Sequence, residues 1–437
     1  MSATLSAQTM PRTALRNFSP ARALLWVASV AVLILAPLVF DSSASLTFLT
    51  QLGTLIVLAL SYNMLFGQAG MLSFGHAVYS GLGAYFSVHA MNLAAAQALP
   101  VPLPVVFVPV VGGLAGLLFG AVFGYLNTKR SGTAFAMITM GICELMFAFS
   151  HMFPKFFGGE GGVSTNRSYG EPWFGLTFGP QIQVYYLIVV WLLVSTALMY
   201  GFTRTPLGRL ANAVRDNAER VEFIGYNPHR IRYLTLALSS FFAGISGALM
   251  AINFEIVGSE SLSVVRSGDG LVFAFIGGAG SFVGPIVGAI LGGLLTIKLS
   301  DFSMAWQLYL GLVFIGFVMY GPLGMVGIAT SAWRIVRSGR LARVLPSWLG
   351  AVVGGAMAVA GIVILVELAY AHTFGPQKAV IALQVQALVG GSALAGWILG
   401  LVLFSAGVAG LRRASRAMRS ALEEQNALHP IPSRSAA

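Results

Sequence analysis

The chain has 437 residues, of which 57% are hydrophobic and only 9% charged, against roughly 25% charged residues in an ordinary soluble domain. So few charges cannot cover a soluble fold of this length, which excludes a cytosolic enzyme, an extracellular module and a disordered chain; the class is an all-α polytopic membrane protein. The net charge of +11 therefore reads as loop cations and contacts with anionic membrane lipid, with no nucleic acid among the expected partners.

Continuous apolar runs, rather than alternating ones, exclude β-barrel spans. In chain order the predicted spans are 24–40, 46–66, 71–91, 101–127, 132–151, 183–202 and 233–254. A Gly-rich stretch, 262–299, follows, then 304–320, 348–370 and 379–411. The first span comes after Arg12, Arg16 and Arg22 and is expected to be an uncleaved signal anchor, because further spans follow it directly.

Basic residues set the orientation. Arg12, Arg16 and Arg22 precede the first span, and Lys129 and Arg130 separate the fourth from the fifth. Arg204, Arg209, Arg215, Arg220, Arg230 and Arg232 share the 203–232 loop, Arg334, Arg337, Arg340 and Arg343 a later segment, and Arg412, Arg413, Arg416, Arg419 and Arg434 the tail. All are assigned to the cytoplasm; of the 25 Lys and Arg, Lys155, Arg167, Arg266, Lys298 and Lys378 fall elsewhere. Crossing parity then requires the 262–299 stretch to split near Gly284-Pro285 into a broken or partly re-entrant segment, which gives about 12 membrane segments with both termini cytoplasmic.

The expected organisation is a cytoplasmic tail (1–23), a core (24–330), a basic amphipathic interfacial segment (331–347), two extra spans (348–411) and a basic cytoplasmic tail (412–437). The external loop 152–182 is rich in Pro, Gly and aromatics and reads as an ordered cap, either a docking or gating element or a passive connector. In the internal loop 203–232, Thr205-Pro206 starts a helix over 207–224 with an apolar stripe of Leu207, Leu210, Ala211, Val214, Val221 and Ile224, and Gly225 ends it. Such a helix either receives a push from a cytoplasmic partner or lies on anionic lipid.

Five stretches in fixed order carry a resemblance. They are SYNMLFGQAGMLSFGHAVYSGLGAY (61–85), SGTAFAMITMGICELMFAF (131–149), 206–251 from PLGRLANAVRDNAERVEFIGYNPHRIRY onward, FIGGAGSFVGPIVGAILGGLL (275–295) and YLGLVFIGFVMYGPLGMVGI (309–328). Over about residues 24–330 the chain resembles LivM-type permeases, membrane subunits of branched-chain amino-acid ABC importers. The resemblance implies a LivH-type permease partner, two cytoplasmic ABC ATPase subunits, an extracytoplasmic solute-binding protein and a small-molecule substrate, in the bacterial inner membrane. It also implies that 207–225 is the coupling helix, with Leu207, Gly208, Arg209, Ala213, Arg215, Asp216, Glu219 and Gly225 as coupling residues. Residues 348–411 depart from the pattern and are not covered by it.

Candidates for the translocation path or for helix bends are Asn63, Gly67, Gln68, Gly70, Ser73, His76, Glu144, Gly278, Gly280 and Pro285. Glu144, inside a span, is either a path or gating group or a hydrogen-bond partner within the bundle. His76 either lines a path or packs with a hydrogen bond, and Glu367 is expected to snorkel to the interface. GQAG followed by Ser73-Phe74 echoes GGAG followed by Ser281-Phe282, and the predicted topology puts both on the inner side. A GxxxxGK[ST] loop, HExxH, GxSxG and zinc-type cysteine spacing are all missing from the sequence, so no cofactor, metal or catalytic residue is expected and ATP belongs to partner subunits. The single cysteine, Cys143, reads as a small packed hydrophobe. Urea, short amides and carboxylates remain alternative substrates. A stand-alone ion-coupled transporter would carry several paired intramembrane charges, and an integral-membrane enzyme clustered His, Asp or Glu.

Overall fold

A computed structural model describes residues 20–98, 102–169, 175–303, 305–320, 323–337, 341–374 and 393–428. The helices are α1 (Pro20–Val39), α2 (Ser43–Asn63, continued by a π-helical turn Met64–Gln68), α3 (His76–Ala95), α4 (Val108–Asn127), α5 (Thr133–Met152), α6 (Pro154–Phe157) and α7 (Gln181–Arg204). Then come α8 (Pro206–Asp216), α9 (Ala218–Phe223), α10 (Pro228–Phe254), α11 (Val264–Gly277), α12 (Gly284–Gly293), α13 (Leu299–Phe302), α14 (Trp306–Tyr320), α15 (Gly324–Arg337), α16 (Leu341–Phe374) and α17 (Ala393–Leu428). Among the described residues seven helices are long and apolar enough to cross a bilayer, and three shorter apolar ones accompany them. The only described sheet is a two-residue antiparallel pair, β1 (Val163–Ser164) with β2 (Ile256–Val257).

α10 is the centre of the bundle. Asn227 caps its start by accepting from the backbone N–H of His229 and Arg230, and Pro228 takes the first helical position, where no N–H is needed. In a membrane, helices gain little from apolar contact alone, so close backbone approach through small residues matters more. A Cβ on Gly244 would lie 2.1 Å from the Gly112 carbonyl oxygen of α4, and one on Gly247 1.8 Å from the Ser80 carbonyl oxygen of α3. Towards α2 the same helix uses hydroxyls: Ser239 donates to the Ser61 carbonyl (2.6 Å) and Ser246 to the Thr54 carbonyl (2.8 Å).

The 152–182 loop is fastened to the far end of α10. Arg167 lies 9% exposed and donates to the carbonyls of Ile252, Asn253, Phe178 and Gly179 and to the Gln181 side chain. A cation there meets the negative end of the α10 dipole. Residues 170–174 of the loop lie outside the described residues.

Several expected boundaries shift for local reasons. The third span begins at His76 rather than 71, because Gly70 (φ +68°) turns the chain and residues 70–75 are not helical. The break in 262–299 falls at 278–283, immediately before Gly284-Pro285, and Pro285 lies in the first turn of α12. α11 and α12 return side by side; a Cβ on Gly288 would lie 1.8 Å from the Phe273 carbonyl. The basic segment 331–347 is divided between the end of α15 and the first turns of α16, which passes through Pro346 without a helix boundary at 348. The last span, expected at 379–411, is described from Ala393, and α17 continues as one helix to Leu428. Residues 1–19, 375–392 and 429–437 lie outside the described residues, and with them Arg12, Arg16, Lys378 and Arg434.

α16 and α17 form a hairpin closed by glycines: a Cβ on Gly407 would lie 2.3 Å from the Ala358 nitrogen, and one on Gly361 2.5 Å from the Phe404 nitrogen. The expectation that Glu367 snorkels is overturned. Its side chain is 2% exposed and accepts from the Ser303 hydroxyl and from the Tyr309 hydroxyl (2.9 Å), fastening the extra helices to the core. Two hydroxyl donors satisfy the carboxylate more cheaply than the unfurling of a side chain near the end of a packed helix.

Candidate functional site

The candidate site lies at the end of the bundle that carries α8. Thr205 caps α8 by accepting from the Gly208 N–H (3.2 Å), and Pro206 fills the first position. Gly208 is required sterically, since a Cβ there would sit 2.3 Å from the Phe202 carbonyl oxygen. Ala211 and Val214 are buried, Leu207, Leu210 and Ala213 half-buried, and Arg209, Arg215, Asp216 and Glu219 exposed. The single helix expected over 207–224 is two helices. Asn217 leaves helical geometry (φ −160°, ψ 104°), and its side chain accepts from the Arg220 N–H (2.8 Å) to start α9. Asn competes with the backbone ladder in this way and favours a cap over a helix interior. Gly225 (φ +91°) ends α9 in the conformation that favours glycine.

The apolar stripe holds as far as Val221, which is 2% exposed. Ile224 does not belong to it: Phe223, Ile224 and Tyr226 are 89%, 63% and 50% exposed and form an apolar knob beside α9. Sequence periodicity missed Phe223 and Tyr226; the signal was the run VEFIGYNP, where apolar and aromatic residues meet turn residues.

α8 is tied to the π-helical end of α2. The Arg215 guanidinium donates to the Gly67 carbonyl through Nη1, and the Asn212 amide donates to Gln68 Oε1 (2.7 Å). The Arg215 stem lies over Gly70, where a Cβ would come 2.6 Å from Arg215 Cγ. Asn63 folds over Gly67 from the other side, its Oδ1 buried without a hydrogen-bond partner. A π-helical turn widens the ladder by one residue and is common at functional places in helices.

The two Gly-rich turns meet here. A Cβ on Gly67 would lie 2.5 Å from the Ala279 carbonyl oxygen, so GQAG and GGAG are in direct backbone contact. Gly278 (φ +105°) fits against the start of α15, a Cβ there falling 2.3 Å from the Leu323 carbonyl oxygen, while Gly280 is exposed beside open space. One polar latch thus connects α8, the end of α2, the α11–α12 turn and the start of α15.

The remaining candidates stand deeper or apart. Ser73 is fully buried, and its carbonyl accepts from the Tyr62 hydroxyl (3.0 Å). His76 is 1% exposed, 3.0 Å from the Ser61 hydroxyl through Nε2 and edge-on to Tyr62 and Tyr79, so it packs within the core. Glu144 is exposed on α5, away from the latch, and is not a hydrogen-bond partner inside the bundle. Its neighbour Cys143 is buried, donating to the Leu262 carbonyl (3.0 Å) and 3.8 Å from the Ser267 hydroxyl. Among the described residues no cluster of His, Cys, Asp or Glu has metal-binding geometry.

A family described as "Branched-chain amino acid transport system / permease component" matches residues 44–323. The chain belongs to this permease family. It is 27% identical over 295 residues to the high-affinity branched-chain amino acid transport system permease protein LivM of Escherichia coli, covering 62% of this chain and 67% of that protein. BraD of Pseudomonas aeruginosa, named likewise as a high-affinity branched-chain amino acid transport permease, is 24% identical over 56% of this chain and 81% of its own. The fructose import permease FrcC of Rhizobium meliloti is 27% identical over 52% of this chain and 64% of its own. No solved structure matches. The permease is a multi-pass protein of the bacterial inner membrane. Its matched segment includes α8, the end of α2 and the α11–α12 turn and ends at residue 323, so α15, α16 and α17 lie beyond it.

Proposed function

We propose that this chain is a membrane subunit of an ATP-driven importer for branched-chain or related small amino acids, pairing with a LivH-type permease, two cytoplasmic ATPases and an extracytoplasmic solute-binding protein. ATP is bound by the partner ATPases and the chain itself is non-catalytic. The observation that carries the reading is the latch. α8 is an amphipathic helix outside the spans, yet it is held by Arg215 and Asn212 to a π-helical turn of a buried span. A push on α8 therefore reaches α2 and, through the Gly67–Ala279 contact, the turn between α11 and α12. Arg209, Glu219 and the exposed knob of Phe223, Ile224 and Tyr226 offer the ATPase both charge and apolar surface.

The twelve-crossing map, with both termini on the cytoplasmic side, belongs to the same proposal. The support for it is the alternation of ends along the chain. α10 runs from the α8 end to the β1–β2 pair, α11 returns from that pair to the Gly67 contact, and Gly324 touches Gly278 again after α12 and α14. Reconstituting this chain with its partners tests the reading. ATP-dependent uptake of leucine, isoleucine or valine is expected, and uptake driven by an ion gradient without ATPases would reject it. Fructose, urea and a short amide serve as competing substrates in the same assay.

A further inference from the structure

Among the described residues three carboxylates lie on the apolar helices α5, α11 and α16. Asp269 of α11 pairs with Arg266 at 3.4 Å. Glu367 of α16 accepts from Ser303 and Tyr309. Glu144 of α5 has no hydrogen bond or ion pair with any described residue, and its side chain is exposed. It stands roughly 17 Å along α5 from Thr133 at about 1.5 Å per residue, near the middle of a bilayer core of about 30 Å.

α5 has two unlike faces. Phe135, Thr139, Cys143, Met146 and Ser150 are buried against the bundle. Met137, Met140, Gly141, Glu144 and Ala148 are exposed, and a Cβ on Gly141 would meet nothing within 4 Å. A carboxylate at mid-depth is too costly to leave against lipid tails, so this face meets protein and water. A second permease subunit is the partner that encloses such a face. A single unpaired negative charge on the wall of a narrow path through the membrane selects a cation.

We propose that the Glu144 face of α5 lines the aqueous path between the two permease subunits and that the Glu144 carboxylate receives the ammonium group of the amino-acid substrate. This rests on the amino-acid importer reading. The fit is one of charge and place: the substrate carries one ammonium, and both other bundle carboxylates are already satisfied.

The test uses the complete importer in proteoliposomes of bacterial polar lipid. Glu144→Gln should lower ATP-driven leucine uptake at least tenfold while subunit assembly and ATP hydrolysis are kept, and Glu144→Asp should restore part of it. In a Cys143→Ser background, Glu144→Cys should react with a membrane-impermeant cationic thiol reagent, and leucine supplied by the binding protein during turnover should slow that reaction. Wild-type uptake by Glu144→Gln would overturn the assignment, as would labelling at 144 only by lipid-soluble reagents. Failure of Glu144→Gln to assemble would place the carboxylate in a subunit contact instead, and overturns it too. A wild-type importer that carries no amino acid would overturn the importer reading together with the ammonium assignment; wild-type uptake with an indifferent Glu144→Gln overturns the assignment alone.

Discussion

Removing the Arg215 side chain should uncouple ATP hydrolysis from transport. Arg215→Ala deletes one charged hydrogen bond to the Gly67 carbonyl, and such bonds contribute about 1.5–3 kcal/mol, with the low end fitting a side chain that is 38% exposed. The adjacent Arg215–Asp216 pair, on side chains 38% and 70% exposed, adds about 0–1 kcal/mol. A loss of about 2 kcal/mol shifts the balance between latched and released α8 by about 30-fold, since about 1.4 kcal/mol is tenfold. In proteoliposomes holding the complete importer, ATP hydrolysis should stay within about twofold of wild type, while substrate moved per ATP falls about tenfold or more. Arg215→Lys, which keeps the charge but loses the planar fork, should fall between. An unchanged ratio of transport to hydrolysis, with α8 still bound to the ATPases, would refute the latch as the transmitting element.

Other consequences are as direct. Gly70→Ala places a Cβ 2.6 Å from Arg215 Cγ at a φ of +68°, so it should mimic Arg215→Ala; a double-mutant cycle in transport should be markedly non-additive. Glu367→Ala leaves Tyr309 and Ser303 without their acceptor and should cost about 1–3 kcal/mol, seen as a lower unfolding temperature in detergent; an unchanged temperature would remove Glu367 as the fastening of the extra helices. Arg167→Ala strips donors from four carbonyls and Gln181, and should raise hydrogen exchange over residues 163–169 while α8 stays protected.

Much of the fold was legible because membrane helices must be long and apolar. α2, α4, α5, α7 and α10 fall within a few residues of the spans read from hydropathy. The misplaced boundaries share one cause, local backbone and capping chemistry that outweighs periodicity. Asn217 prefers to cap α9, and Gly70 turns the chain before His76. Glu367 was misread because its partners, Ser303 and Tyr309, stand about 60 residues away and leave no local trace. At the site, the residue types near Gly67 and Gly278 were visible, but their backbone contact was not, since a long-range approach through glycine has no periodic signature. Arg215 could be placed on α8 from sequence; that it reaches Gly67 depends on the π-helical turn, which no residue pattern announces.

The most direct measurement is substrate uptake into proteoliposomes that contain this chain, a LivH-type permease, both ATPases and the binding protein, with ATP supplied on the α8 side. Accumulation of branched-chain amino acid is expected, needing both ATP and the binding protein and stopping when the ATPases cannot hydrolyse. Accumulation by this chain alone under a proton or sodium gradient, or an assembled complex that hydrolyses ATP and moves only sugar or urea, would contradict it.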